Sequence, residues 1–461
     1  MVHIKKEIQK ESSLWCKIVL TVVAVAFLCT ISIPNRFTEP KRVIGWDIKN
    51  YYAYLPAYFI DHNIEMIGWT NEGIPAFDQK YWLRWVRDDM FIIKTTMGVA
   101  FFYAPFFAAA HLLAEPLGYP ADGFSLPYAF SLLLSGAVFV WIGLLVLSRF
   151  LRRHFSDKVT AAVIAILGLT TNLFWYATFE APMSHGYNFF LFASFLLLTE
   201  LWYEEPTWGR TLLIGLVFGC ISLIRPTNSL IVIVFLLYRV EKWADIPEHF
   251  KTYLQQWPKI LSIIALTLLV WLPQCLYWKH ITGHFFFYSY FDEGFYWSDP
   301  KFFQVLFGFR KGLFIYSPVL LAALPGYFLL WKRQRDYFWP IIIFSILNVY
   351  IISSWWCWWY GGSFGLRAFI ESFALLSIPL GLFITWVAAQ KRWLRTVLFS
   401  LVFVLGLQSA FHFVQYYNEV IHYEGMNKKA YFHFFWKVKQ PKDYWYYITL
   451  PDPSHTVRPN K

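Results

Sequence analysis

The 461 residues are 57% hydrophobic, 22% aromatic and only 15% charged, with a mean hydropathy of +0.42. That balance excludes a water-soluble domain and points to an all-α polytopic membrane protein. The formal net charge of +11 does not mark a nucleic-acid binder, because Lys and Arg lie in short groups between apolar runs rather than along one basic face; anionic lipid head groups are the better partner. The five cysteines, Cys16, Cys29, Cys220, Cys275 and Cys357, are scattered among apolar runs and form neither a disulfide framework nor a metal-ligand pattern.

The first apolar run, Leu14 to Pro34, is long enough to cross the roughly 30 Å hydrocarbon core as a helix. It follows Lys5, Lys6, Lys10 and Lys17, so the positive-inside bias keeps its start cytoplasmic. No small-residue cleavage site follows it, and a retained anchor is expected rather than a signal peptide. Next comes a long aromatic loop, residues 35–93, holding the acidic, tyrosine-rich stretch Gly45-Trp46-Asp47-Ile48-Lys49-Asn50-Tyr51-Tyr52. Ile48, Tyr51, Tyr52, Leu55 and Phe59 recur at helical spacing, and so do Tyr81, Trp82, Trp85 and Val86. Two amphipathic surface helices are expected, the first bent or restarted at Pro56.

Residues 94–115 are apolar enough to span but carry Pro105 and His111. If they only dip in from the outer side, then Arg149/Arg152/Arg153/Lys158 and the later basic loops all fall in the cytoplasm, the arrangement that the charge bias of short loops favours. Eleven crossings are then expected: the first run, Ser125 to Phe150, Lys158 to Thr178, His185 to Tyr203, Leu212 to Ile224, Asn228 to Val240, Lys259 to Trp278, Leu313 to Trp331, Tyr337 to Ser354, Ala368 to Ala389 and Trp393 to Phe413. Residues 1–413 form one transmembrane module, and the aromatic tail 414–461 is expected to pack on the outer surface.

With that topology the unusual polar residues between spans share one side: Asp47, Asp88 and Asp89, Lys94, Glu180 with His185, Arg225, the loop from Lys279 to Lys311, and Trp355 to Arg367. Charges beside hydrocarbon are costly unless paired or wetted, so their gathering implies a hydrated cavity opening outward.

The order of these elements resembles the GT-C superfamily of polytopic glycosyltransferases, among them the protein O-mannosyltransferases and the aminoarabinose transferases of lipid A. The resemblance rests on Asp47 with Tyr51 and Tyr52 in an early outer loop, Ser184-His185 opening a span, Arg225-Pro226-Thr227, the run from Arg310 to Pro318, and Gly361-Gly362-Ser363-Phe364-Gly365-Leu366-Arg367. It implies a polyprenyl-phosphate sugar donor and a glycan, lipid or protein acceptor. Transfer of a hexosyl or pentosyl group with inversion would then take place on the outer face of a bacterial inner membrane, facing the periplasm.

The chemistry asks for the same residue types. Expelling a phosphate needs positive charge near its oxygens, and the acceptor hydroxyl needs one carboxylate to take its proton. Asp47 is the candidate base; Lys94, Arg225, Arg310, Lys311 and Arg367 are candidate phosphate ligands; Tyr51, Tyr52, His185, Tyr360 and Ser363 are candidate pocket residues. Each has a plainer role available: Asp47 as a helix N-cap, Arg310 and Lys311 as interfacial anchors, the tryptophans at 355–359 as an aromatic belt. No cofactor is required, and the divalent-cation alternative rests on Asp88 and Asp89. The competing functions are a lipid or sugar transporter and an envelope-assembly subunit.

Overall fold

The computed structural model describes residues 13–33, 38–69, 79–87 and 90–451. Asp88 and Asp89, like Lys5, Lys6 and Lys10, lie outside the described residues.

Helix α1 (Leu14–Ile31) buries Cys16, Leu20, Val23, Phe27 and Ile31, a single stripe at helical spacing, and leaves its other apolar residues exposed as a lipid-facing helix does. The tyrosine-rich stretch folds as two short helices, α2 (Trp46–Tyr52) and α3 (Tyr54–Phe59), with the restart at Ala53 and Pro56 in the first turns of the second. The second expected surface helix is absent. Residues 83–87 and 90–93 instead form the two strands of an antiparallel pair, the hairpin β1 (Leu83–Arg87) and β2 (Met90–Ile93), pairing Leu83 with Ile93 and Trp85 with Phe91. Its β-branched and aromatic residues, Trp85, Val86, Phe91, Ile92 and Ile93, favour a pleated surface over a helix.

The bundle continues with α4 (Gly98–Ala114), α5 (Leu126–Leu151), and α6 (Asp157–Thr170) with α7 (Asn172–Thr178), a pair bent by 65°. Then follow α8 (Ser184–Glu204), α9 (Trp208–Ile224), α10 (Val232–Leu237), α11 (Ile246–Gln255), α12 (Trp257–Thr282), α13 (Leu324–Arg333), α14 (Phe338–Ser354), α15 (Phe373–Ala388), α16 (Arg392–Tyr417) and α17 (Lys428–Phe434). Small residues let the central helices approach closely: a Cβ on Gly143 of α5 would lie 2.9 Å from the Phe190 Cα of α8.

Among the described residues seven helices are long and apolar enough to cross a membrane, or eight if the bent pair is one span. Gly98–Leu117 passes this test of length and composition. Four of the eleven expected crossings do not. α8 carries His185, Asn188, Thr199 and Glu200; α9 has 17 residues; α10 continues a 3-10 turn; and the segment from Leu313 is broken at Pro318 before α13 begins.

Contacts fix the two ends of the bundle. At one, Trp15 N donates to Asp157 Oδ2 at 2.8 Å, and buried Glu200 near the end of α8 takes the Arg153 guanidinium at 3.1 Å, His154 Nε2 at 2.8 Å and the Tyr337 hydroxyl at 3.1 Å. At the other, Tyr52 donates to the Gly123 carbonyl at 2.6 Å, so α2 and the start of α5 lie together beyond the far end of α1.

Candidate active site

Asp47 lies in the first turn of α2, where the helix dipole favours a negative charge. The N-cap position is held by Gly45, and the Asp47 carboxylate instead accepts a hydrogen bond from Arg367 Nη2 at 2.6 Å. Trp46, immediately before it, has φ of 47°, an uncommon backbone for a bulky residue at the point where the acid is presented. The Asp47 side chain is 37% exposed and that of Arg367 13%. Burial works to raise the Asp47 carboxyl, but Arg367, with Lys94 next, more than offsets it and holds the group below its ordinary value. Arg367 also keeps its buried Nε without a hydrogen-bond partner among the described residues.

A second cluster adjoins this pair. Glu371, one helical turn beyond Arg367 and almost fully buried, has His185 Nδ1 at 3.0 Å, Asn228 Nδ2 at 3.3 Å and Arg225 Nη1 at 3.8 Å, all on Oε1. The Arg225 guanidinium faces the His185 ring, with Nη1 at 3.2 and 3.3 Å from its two nitrogens, and stands 5.8 Å from the centre of the Tyr360 ring. Tyr51, buried beside them, accepts a hydrogen bond from Ser184 Oγ at 3.2 Å, and burial followed by the Asp47 charge raises its phenol above the ordinary value.

Lys94 enters from the end of the hairpin and pairs with Glu293, which also faces Arg84 at 3.8 Å and accepts from Trp356 Nε1 at 3.3 Å. Asp47, Arg367, Lys94, Arg225, His185, Tyr51 and Tyr360 are therefore brought together from five stretches of chain, most of them at helix ends. The remaining expected residues stand apart from this set. Tyr52 turns to the Gly123 carbonyl, and Ser363 is buried with its hydroxyl on the Gly365 carbonyl at 3.2 Å. Arg310 donates to the Glu424 carbonyl at 2.9 Å, and the buried Lys311 amine donates to the carbonyls of Ser363 and Tyr423.

Sequence reasoning missed Glu371, Asn228 and Glu293. For Glu371 a signal existed: an acid four residues after Arg367 at the mouth of an apolar run is costly unless it faces a partner. Glu293 carried no comparable signal. Among the described residues no three His, Cys, Asp or Glu side chains gather as they would to hold a metal ion.

No protein-family model and no curated protein matches the sequence. Among solved structures the chain is similar to the archaeal oligosaccharyltransferase AglB from Archaeoglobus fulgidus in complex with an inhibitory peptide and a dolichol-phosphate, at TM-score 0.46 and 12% identity over 97% of this chain. The apo form of the Archaeoglobus fulgidus oligosaccharyltransferase gives TM-score 0.44 and 12% identity over 96% of this chain. This chain spans 60% of the length of each.

Proposed function

We propose that the protein is an integral membrane glycosyltransferase that moves a sugar from a polyprenyl-phosphate donor to an acceptor hydroxyl, with inversion and with Asp47 as general base. The carrying observation is the composition of the cluster: one partly exposed carboxylate, Asp47, beside Arg367, Lys94 and Arg225. A glycosidase would need a paired acid and base on the scissile bond. A phosphate leaving group needs cations and one base; of the three carboxylates around the cluster, Glu371 and Glu293 are the more buried, and Asp47 is the one open to an acceptor.

The Asp47–Arg367 pair gives the site an order of events. While Arg367 holds the carboxylate, Asp47 is a weak base; a donor phosphate that engages Arg367 takes away part of that charge and leaves Asp47 more basic when the acceptor arrives. Arg225 and Lys94 are the flanking phosphate ligands. Glu371 and His185 hold Arg225 in place, and Tyr51 and Tyr360 wall the sugar. In this reading the sunken, short or broken segments complete eleven crossings, and the basic residues around Arg152 and Arg153 lie in the cytoplasm of a bacterial inner membrane while Asp47 faces the periplasm.

The direct test is transfer of a radiolabelled sugar from polyprenyl phosphate to envelope lipids, glycans and proteins by the purified chain in detergent. Transfer by the wild type and none by Asp47→Asn is the expected result; equal transfer by both removes the base assignment, and, with the chain reconstituted in sealed vesicles, movement of the intact donor across the bilayer without sugar transfer favours a carrier.

A further inference from the structure

The Gly-rich turn that leads into Arg367 takes an unusual path. Tyr360, Gly361 and Gly365 all have positive φ, at 57°, 66° and 57°. Such a turn does not hold itself, least of all with a tyrosine in the left-handed region. Its support comes from two distant pieces of chain: Arg310 with Lys311, and residues 422–424 beyond α16. Ser363 N donates to the Tyr423 carbonyl at 3.3 Å, and the Lys311 amine donates to the carbonyls of both Ser363 and Tyr423. Arg310 donates to the Glu424 carbonyl at 2.9 Å while its guanidinium stands 5.7 Å from the centre of the Trp359 ring, and Trp359 Nε1 reaches Glu424 Oε1 at 3.4 Å. Gly362 packs face to face with Tyr423: a Cβ there would lie 3.1 Å from the ring.

The 422–424 segment is itself well fixed. His422 Nδ1 accepts from the backbone of Glu424 at 3.0 Å and of Gly425 at 2.9 Å, and Thr449 N donates to the Gly425 carbonyl at 2.9 Å. Further on, Gln415 of α16 donates to the carbonyls of Phe434 and Lys437 at 2.8 and 2.9 Å.

We propose that the segment following α16 is a working part of the site: residues 422–424 clamp the turn 360–365 from above, Lys311 is the rivet through both, and together they set where Arg367 stands. A lysine that is 1% exposed and bonded only to main-chain oxygens is expensive to bury, and a plain interfacial anchor would keep its amine in water. Lys311 is accordingly a positioning residue rather than a phosphate ligand. The link to Arg367 is short, since Leu366, fully buried and extended, is all that separates it from Gly365.

The proposal rests on the phosphate-binding reading for its consequence but not for its geometry, and the test separates them. In a chain with its five cysteines replaced by serine, Gly362→Cys and Tyr423→Cys are introduced together; Tyr423 Cγ, the position that a cysteine Sγ would take, lies 3.9 Å from the Cβ position at 362, near enough for a small backbone shift to bring the two sulfurs into bonding distance. A mild oxidant should close this disulfide rapidly with Lys311 present and several-fold more slowly with Lys311→Met. Binding of sugar-free polyprenyl phosphate should weaken about tenfold in Lys311→Met and recover to within about twofold when the disulfide is closed. Failure of the disulfide to form, or its closure in Lys311→Met without recovery of binding, overturns the clamp. If the wild type binds no polyprenyl phosphate the donor reading falls, and the two oxidation rates still decide the clamp: equal rates refute it.

Discussion

Arg367 and Asp47, 320 positions apart in the chain, meet across 2.6 Å at the mouth of the helical bundle. The contact joins the loop after α1 to the start of a late span, and both charges depend on it. Asp47 is kept ionised by it, and Arg367, largely buried, has its charge answered by it.

Replacement of Asp47 by Asn leaves an oxygen for Arg367 but no base. Sugar transfer should fall by about 10²–10⁴-fold while the thermal midpoint in detergent moves little. Asp47→Ala should also lower the midpoint, since it leaves the Arg367 guanidinium unanswered. Comparing the two variants by transfer assay and by unfolding separates the chemical role from the structural one.

The same pair predicts the acid limb of activity. The Asp47 carboxyl lies below its ordinary value, so the stability that its ionised form adds is present above the unfolded carboxylate range and is lost only as pH falls through the lower folded value. Transfer at limiting donor, which reports the donor-free site, should stay constant from neutral pH down into the ordinary carboxylate range. Arg367→Gln should shift the decline in rate to higher pH; an unmoved limb in a pH–rate profile would count against the pairing.

Glu371 carries Arg225, His185 and Asn228 on one oxygen in a buried setting. Glu371→Ala should cost about 3–5 kcal/mol by leaving Arg225 without its counter-charge. Glu371→Gln keeps an oxygen for the same donors and should fold, with weaker binding of polyprenyl phosphate as Arg225 loses its orientation. Thermal unfolding and lipid binding measured on both variants check this.

Lys311 should show in the alkaline half of the stability curve. Burial, with the Arg367 charge next, pushes its amine down to about 7, far below the usual lysine value of 10.5. Between those two values the unfolded chain holds a proton that the folded chain has released, so stability rises with pH through that window; below about 7 both states are protonated and the cost is constant. A neutral amine still has two N–H groups for the two carbonyls it serves. Thermal midpoints from neutral to alkaline pH should climb in the wild type relative to Lys311→Met.

Gly365 has φ of 57°, and a Cβ there would lie 3.2 Å from Tyr316 Cβ and 3.5 Å from Asn172 Nδ2. Gly365→Ala should cost about 1–2 kcal/mol in backbone strain and shift the turn that feeds Arg367. A drop of the thermal midpoint with weakened lipid-phosphate binding is the expected result; an unchanged protein would show the turn to be slack.

Composition and hydropathy were enough to read a helical membrane bundle and most of the long spans, because a run such as Leu126–Leu151 leaves few alternatives. Asp47 and Arg367 were legible for a related reason: charges at the ends of apolar helices are dear and need a partner. The hairpin was not legible, since Tyr81, Trp82, Trp85 and Val86 fit a helical face as well as a strand, and the choice fell to β-propensity and to pairing with Phe91 and Ile93. Nor was the binding of Lys311 to two carbonyls, because main-chain acceptors leave no mark on side-chain identity. His422 and Glu424 likewise look like ordinary tail residues until the chain doubles back.

Helix α8 is moored twice. His185 at its start is tied to Glu371, and Glu200 near its finish is gripped by Arg153, His154 and Tyr337. Such a post, 21 residues long and fastened top and bottom, resists both sliding and rotation. Whatever shifts when a ligand enters the cluster must then be hung around it: the hairpin, or the stretch bearing Glu293.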